Sequence, residues 1–448
     1  MNSVLRSAAG CLAAFGLMLS WGPIARGDDG DTDFYFTGRP FVRPCPCPCP
    51  CPNPNGAAAP AVPSAPGTTP QGGTTPGQPA PGAAPAQPGT PSTENAPSND
   101  LLAQQGVGVP GGPASAAPTM IGDFFGGGSI TLGQAYVEGT QNLVNAPGGN
   151  CPRFKMADYT SPIPMDRVYF DYDYFHNTEL QQPHIDVNAF TPGFEKTFLG
   201  GLVSFELRLP MAMTLSNSVF TDGTTATSVG EVGNMGMAIK GLLLRRDTFA
   251  LSGGLALSVP TAGNTQIFLE QGSTGPEAEI VNESVHLMPF LGALWTPNER
   301  LFAIGYVQVD VDANGDTVLA AGGGSLGPTA HFPLLNVGRY YDPTMLYADF
   351  GLGYWLRHSD SPHDLVTGLA IVGEVHVNQS LSTSPLITGP FPTEVVLEPG
   401  SQFTIVDLTV GAHVVLRQST FLTAAFCTPV TSQRQFDGEC RLLLDRRF

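Results

Sequence analysis

The chain closes on Gly-Glu-Cys-Arg-Leu-Leu-Leu-Asp-Arg-Arg-Phe, ending at Phe448. Taken alternately, Cys440, Leu442, Leu444, Arg446 and Phe448 share one face, and Glu439, Arg441, Leu443, Asp445 and Arg447 share the other. That division follows from the period of two in an extended strand. A strand apolar on one side, charged on the other and closed by an aromatic fits a barrel wall between lipid and a wet lumen.

The same alternation recurs upstream. Phe249, Leu251, Leu255, Leu257 and Val259 oppose Ala250, Ser252, Ala256 and Ser258. Leu346, Phe350, Leu352 and Leu356 oppose Tyr347, Asp349, Trp355 and Arg357. The pattern predicts twelve strands: 167–175, 187–196, 199–209, 232–244, 248–259, 285–295, 300–310, 345–357, 365–378, 402–417, 420–429 and 438–448. Short connections, such as Gln418-Ser419 and Arg245-Arg246-Asp247, alternate with long ones at 210–231, 260–284, 311–344 and 379–401. Barrels of the outer membrane alternate in this way, with short turns inside and long loops outside. The expected fold is therefore all-β, a transmembrane antiparallel β-barrel of about 12 strands over 167–448. An even strand count puts both barrel ends on the periplasmic side.

Three segments precede it. Residues 1–27 read as a secretory signal: Arg6, an apolar run, then Ala25 and Gly27 before the cut. Residues 28–120 form a low-complexity linker dominated by Pro, Ala, Gly, Ser and Thr, a composition too polar and too poor in aromatics to offset the entropy of ordering. Residues 121–166 form a short ordered lead-in or plug. Beyond the signal no run of 18 apolar residues occurs, so no helical span is expected.

Cysteine usage agrees with export. Of eight cysteines, seven remain after the signal, which leaves one thiol free or paired between chains. Cys45, Cys47, Cys49 and Cys51 alternate with proline. A stiff extended backbone keeps neighbouring thiols from pairing, so the run is a candidate for cross-links to other cysteine-rich envelope proteins or for soft-metal capture, beside the plain reading of low complexity without a role. Cys427 and Cys440 lie on adjacent predicted strands, as a disulfide or as two free thiols.

A formal charge of −18 and a pI near 4.7 argue against a nucleic-acid partner, which calls for basic patches. The lumen-lining candidates are Asp171, Asp173, Glu206, Arg208, Lys240, Asp349, Arg357, Glu374, His376, Asp407, His413, Glu439, Arg441, Asp445 and Arg447. They line a pore or fill a narrow barrel as a structural network. Both signs occur, which predicts no strong ion selectivity. Asp310, Asp312, Asn314 and Asp316 match the first half of a calcium loop, but Ala321 replaces its closing Glu. No catalytic motif such as Gly-x-Ser-x-Gly is present, so neither an enzyme nor a cofactor is expected.

The terminal aromatic strand resembles that of bacterial outer-membrane proteins, which implies that Phe448 is an assembly signal for the barrel-assembly machinery. The hairpin from Gly233 to Thr261, with its Gly-rich strand, Lys240, tight turn and Pro260-Thr261 ending, resembles the MetA-pathway phenol-degradation transporter-like family. The segment 167–177 and Pro192 to Lys196 resemble barrel openings of planctomycete-type secreted proteins. These resemblances imply an outer-membrane barrel passing small molecules, apolar or aromatic compounds among them. The leading expectation is a passive pore or carrier gated by its long loops, with the linker in the periplasm and membrane lipid as its surroundings. The alternatives are a structural envelope protein cross-linked through the Cys-Pro run, and a secreted soluble β-protein.

Overall fold

In the computed structural model, the described residues are 118–123, 131–137, 144–147 and most of 154–448. Within that last stretch 179–184, 214–215, 221–229, 269, 271, 322–332, 360, 362, 389–394 and 398–401 fall outside the description. So do the signal segment, the linker through 117, and Cys45, Cys47, Cys49 and Cys51.

Twelve antiparallel strands close into a ring. They are β1 (Arg167–Thr178), β2 (Ile185–Phe198), β3 (Val203–Arg208), β4 (Met235–Arg246), β5 (Phe249–Val259) and β6 (His286–Trp295). The second half holds β7 (Leu301–Asp312), β8 (Met345–His358), β9 (Val366–Ser380), β10 (Thr404–Leu416), β11 (Thr420–Pro429) and β12 (Gly438–Arg447). Each pairs with its neighbours in sequence, and β1 closes the ring by pairing with both β2 and β12. Closure leaves the wall without a free edge. All twelve elements lie where the alternation predicts them.

The period of two sorts the side chains. On β12, Glu439, Arg441, Leu443, Asp445 and Arg447 are buried within the ring, while Leu444, Arg446 and Phe448 face outward. Strand β3 is short because Pro210 has no N–H to donate. The ladder resumes beyond it, with Met211–Met213 against residues 188–190 of β2.

The long loops carry strands of their own. Ser218–Phe220, Thr265–Phe268, Ala278–Val281, Asp316–Ala321 and Leu334–Tyr340 make a five-stranded sheet. Ile387–Thr388 and Val395–Leu397 join Thr131–Val137 and Val144–Pro147 in a four-stranded one. The segment before the barrel thus reaches the long-loop end, where Val137 pairs with Val395.

It gets there through the ring. Residues 118–123 ascend from the short-turn end: Ile121 and Gly122 donate their N–H groups to Glu374 at 2.8 and 2.9 Å, and Asp123 reaches Asn378, four residues further along β9. Residues 154–166 descend. Phe154 and Met156 bond Gln308 of β7, and Asp166 meets the N–H of Phe448 at the short-turn rim. The two segments bond each other, Met120 N–H to Thr160 O at 2.9 Å and Tyr159 N–H to Ile121 O at 3.3 Å. They are called the insert below.

Two expectations are corrected. Cys427 and Cys440 are not joined: Cys427 is a buried free thiol, and Cys440 is disulfide-bonded elsewhere. In register Cys427 faces Glu439 and Cys440 faces Phe426, so the two side chains leave opposite faces of the sheet. Arg357 is not in the lumen. The register slips between Trp355 and Arg357, and this bulge turns Arg357 outward. Its side chain is 54% exposed and pairs with Asp364 in the short turn.

Candidate functional site in the barrel interior

The interior is charged on one side and apolar on the other. The charged side begins at the short-turn end with Arg167. Its Nε meets Glu195 at 2.9 Å and its Nη2 meets Glu206 at 3.2 Å. Lys240 joins Glu195 at 2.9 Å, Arg208 joins Glu206 at 2.9 Å, and Tyr169 donates its hydroxyl to Glu206 at 2.7 Å. Arg447 pairs with Asp445 at 3.0 Å and lies over the Phe421 ring, 3.5 Å from its centre. These groups hold one another across strands β1 to β4 and β12.

Midway, one guanidinium faces several carboxylates. Arg441 lies 2.6 Å from Asp173, 2.8 Å from Glu439, 3.4 Å from Asp158 of the insert and 3.6 Å from Asp171. It also donates to the carbonyl of Ile121 at 2.6 Å, tying both passes of the insert to β12.

Toward the long loops, Lys155 of the insert sits among oxygens of Asp123 (2.5 Å), Asp349 (2.7 Å) and Asn378 (2.9 Å). His376 bridges Asp349 at 2.9 Å and Glu374 at 3.2 Å. Asn378 donates to Asp123 and to Asp407. Asp123, Asp349 and His376 bring ligand atoms within 4.8 Å of one another, a grouping able to hold a metal. The Lys155 ammonium touches two of the three and supplies the positive charge there.

The opposite wall is apolar. Met288, Phe290 and Leu294 of β6, Phe302, Ile304 and Tyr306 of β7, and Trp355 of β8 pack with Phe154, Met156, Ile163 and Met165 of the insert. Gly236 of β4 makes room for this seam, since a Cβ there would stand 2.1 Å from the Phe154 ring.

The residues read from alternation distribute as follows. Asp171, Asp173, Glu206, Arg208, Lys240, Asp349, Glu374, His376, Asp407, His413, Glu439, Arg441, Asp445 and Arg447 are buried inside the ring, and Arg357 lies outside it. The calcium candidates are not gathered. Asp310 turns inward to His286 at 2.7 Å. Asp312 accepts from Ser284 and Gly315, Asn314 from Val285, and Asp316 from Glu283 and Ser284. The oxygens of Asp312, Asn314 and Asp316 thus accept from N–H and O–H donors of the surrounding loops. Sequence reasoning missed Arg167 and Glu195, whose parity with Asp171 and with Pro192 to Lys196 was the available signal. It also missed Asp123, Lys155 and Asp158, which lie in a stretch without periodicity.

No family model and no curated protein matches the chain. Among solved structures, it is similar to an outer membrane channel from Pseudomonas putida F1 with a TM-score of 0.42 and 11% identity, over 64% of this chain and 97% of that one. The Pseudomonas putida toluene transporter TodX gives 0.34 and 9% over 73% and 98%. The NanC porin gives 0.34 and 6% over 63% and 98%. Likeness this distant transfers no activity to the present chain.

Proposed function

We propose that the chain is an outer-membrane channel for small molecules, shut at rest by the insert. The membrane setting rests on the outward face. Val168, Phe170, Leu291, Val307, Phe350, Ile371 and Val410 stand exposed around the ring, more apolar surface than a water-soluble barrel tolerates. Arg446 falls at the short-turn rim with Ser419 and Thr420 as partners, where a charge costs little. Short turns then face the periplasm, residue 118 leads to that side, and the linker lies there.

The observation that carries the channel reading is how the insert is held. Its charged seam is a set of buried ion pairs, which stabilise little net of desolvation and which water can replace. A barrel serving only as an anchor gains more from an apolar filling. With the insert displaced, the lumen presents one charged and one apolar wall. That pairing suits small solutes with an apolar or aromatic body and a polar end, passing by diffusion.

Planar-bilayer recordings test the reading. The full chain is expected to give rare openings, and Lys155→Met together with Glu374→Gln to raise their frequency at least tenfold. Silent membranes with both proteins, each shown folded by its gel shift on boiling, would sink it.

A further inference from the structure

We propose that the wall around Lys155 is a binding site for organic cations bearing a primary ammonium group, and that Lys155 occupies it as an internal substitute ligand. Asp349 on β8 and Asn378 on β9 belong to the wall, and each places an oxygen on the Lys155 ammonium, at 2.7 and 2.9 Å. The Tyr347 ring lies beside it, 5.4 Å from nitrogen to ring centre. Oxygen acceptors around an N–H₃ group, completed by an aromatic face, are how proteins bind organic ammonium ions. A hard metal ion prefers six or more oxygens and gains nothing from the ring.

The wall also carries acceptors that the lysine does not use. Asp349 Oδ2 is buried without a hydrogen-bond donor, while Asp407 is joined to the cage through Asn378 at 3.0 Å and through a hydrogen bond with Asp123 of the insert. The insert brings Asp123 and Asp158 along with Lys155, so its docking adds acidic rather than basic charge and leaves the wall's carboxylates in place. A soluble ammonium ion entering from the long-loop side meets these carboxylates and competes with Lys155. Its binding favours the displaced insert, and a ligand that binds only one of two states shifts the population toward it.

The inference rests on the channel reading only for what the ligand does afterwards, because binding is measured in detergent without any membrane current. The probe is n-butylammonium chloride, which copies the lysine side chain. Calorimetry on the full chain is expected to give at least tenfold tighter binding to Lys155→Met than to the unaltered protein, and to lose it when Asp349→Asn is added. Lys155→Gln serves where the methionine variant does not fold. In the unaltered protein, n-butylammonium should speed amide exchange across 154–160, beginning at Met156, whose N–H bonds Gln308. Equal affinity in both proteins, binding that survives Asp349→Asn, calcium chloride binding in place of the amine, or unchanged exchange would each overturn the proposal.

Discussion

Arg167 Nε lies 2.9 Å from Glu195 Oε2 on β2, and its Nη1 lies 3.8 Å from Asp445 on β12, across the seam where β1 and β12 close the ring. The same guanidinium donates to the Tyr159 carbonyl and to Thr160 at 2.8 Å, so one side chain fastens both the closure and the descending insert. Removing it leaves Glu195 and Glu206 buried with fewer cations. Losing one partner of a buried pair costs about 3–5 kcal/mol. Arg167→Met should therefore lower the temperature at which the unboiled gel band converts to the slower one. Arg167→Lys should fall between, keeping the charge and losing the fork. A methionine variant as heat-resistant as the original would contradict the hub.

Phe154 and Gly236 define a second joint. The Phe154 ring occupies the space a Cβ at Gly236 would need, and the Arg208 guanidinium lies over the ring, 4.1 Å from its centre. Gly236→Val should expel the ring and loosen the insert while sparing the ladder, since valine suits a strand. The expected readout is faster proteolysis within 154–166 with an unchanged heat-modifiable shift. Protection equal to that of the unaltered chain would mean that the ring has another place to sit.

The wall was legible because a barrel strand announces itself twice, in alternation and in loop length. Asp171, Arg441 and Asp445 could be assigned to the interior from parity alone. Arg357 shows where parity fails: one extra residue in a bulge reverses every assignment beyond it. Lys155 shows a deeper limit. Its neighbours are neither helical nor strand-like in pattern, and its partners Asp349 and Asn378 lie nearly two hundred residues or more away in sequence. Nothing local encodes such contacts, because the threaded segment takes its backbone partners from the wall. The lead-in over 121–166 could be named as a plug from its composition, but not which wall residues would hold it.

Phe448 offers a test that separates assembly from stability. The residue is 71% exposed, and its N–H bonds the Asp166 carbonyl at 3.1 Å. So exposed a side chain adds little to the folded barrel. Deleting Phe448 should reduce the amount of barrel reaching the outer membrane several-fold and leave the melting of the material that arrives nearly unchanged. Equal yields would remove the assembly role, and a large loss of heat resistance would show a packing role instead.

Asp316, in the five-stranded sheet of the long loops, sets a pH dependence. Burial pushes its carboxyl up to about 7, the Asp342 and Asp312 carboxylates push the same way, and the Glu283 and Ser284 N–H groups resist. The ordinary value is about 3.9. A carboxyl raised by folding favours the protonated state, so its stabilising effect is complete below the ordinary value. It is lost as pH climbs through about 7. The loop sheet should then be tighter at pH 5 than at pH 8, by roughly 2–4 kcal/mol at most for a group so placed. Asp316→Asn keeps the oxygen that accepts from Glu283 and Ser284, both at 2.7 Å, and removes the proton. Amide exchange across 278–284 should slow from pH 8 to pH 5 in the original chain, after correction for the intrinsic rate, and change little in the variant. Parallel profiles for the two proteins would show that another group governs the sheet.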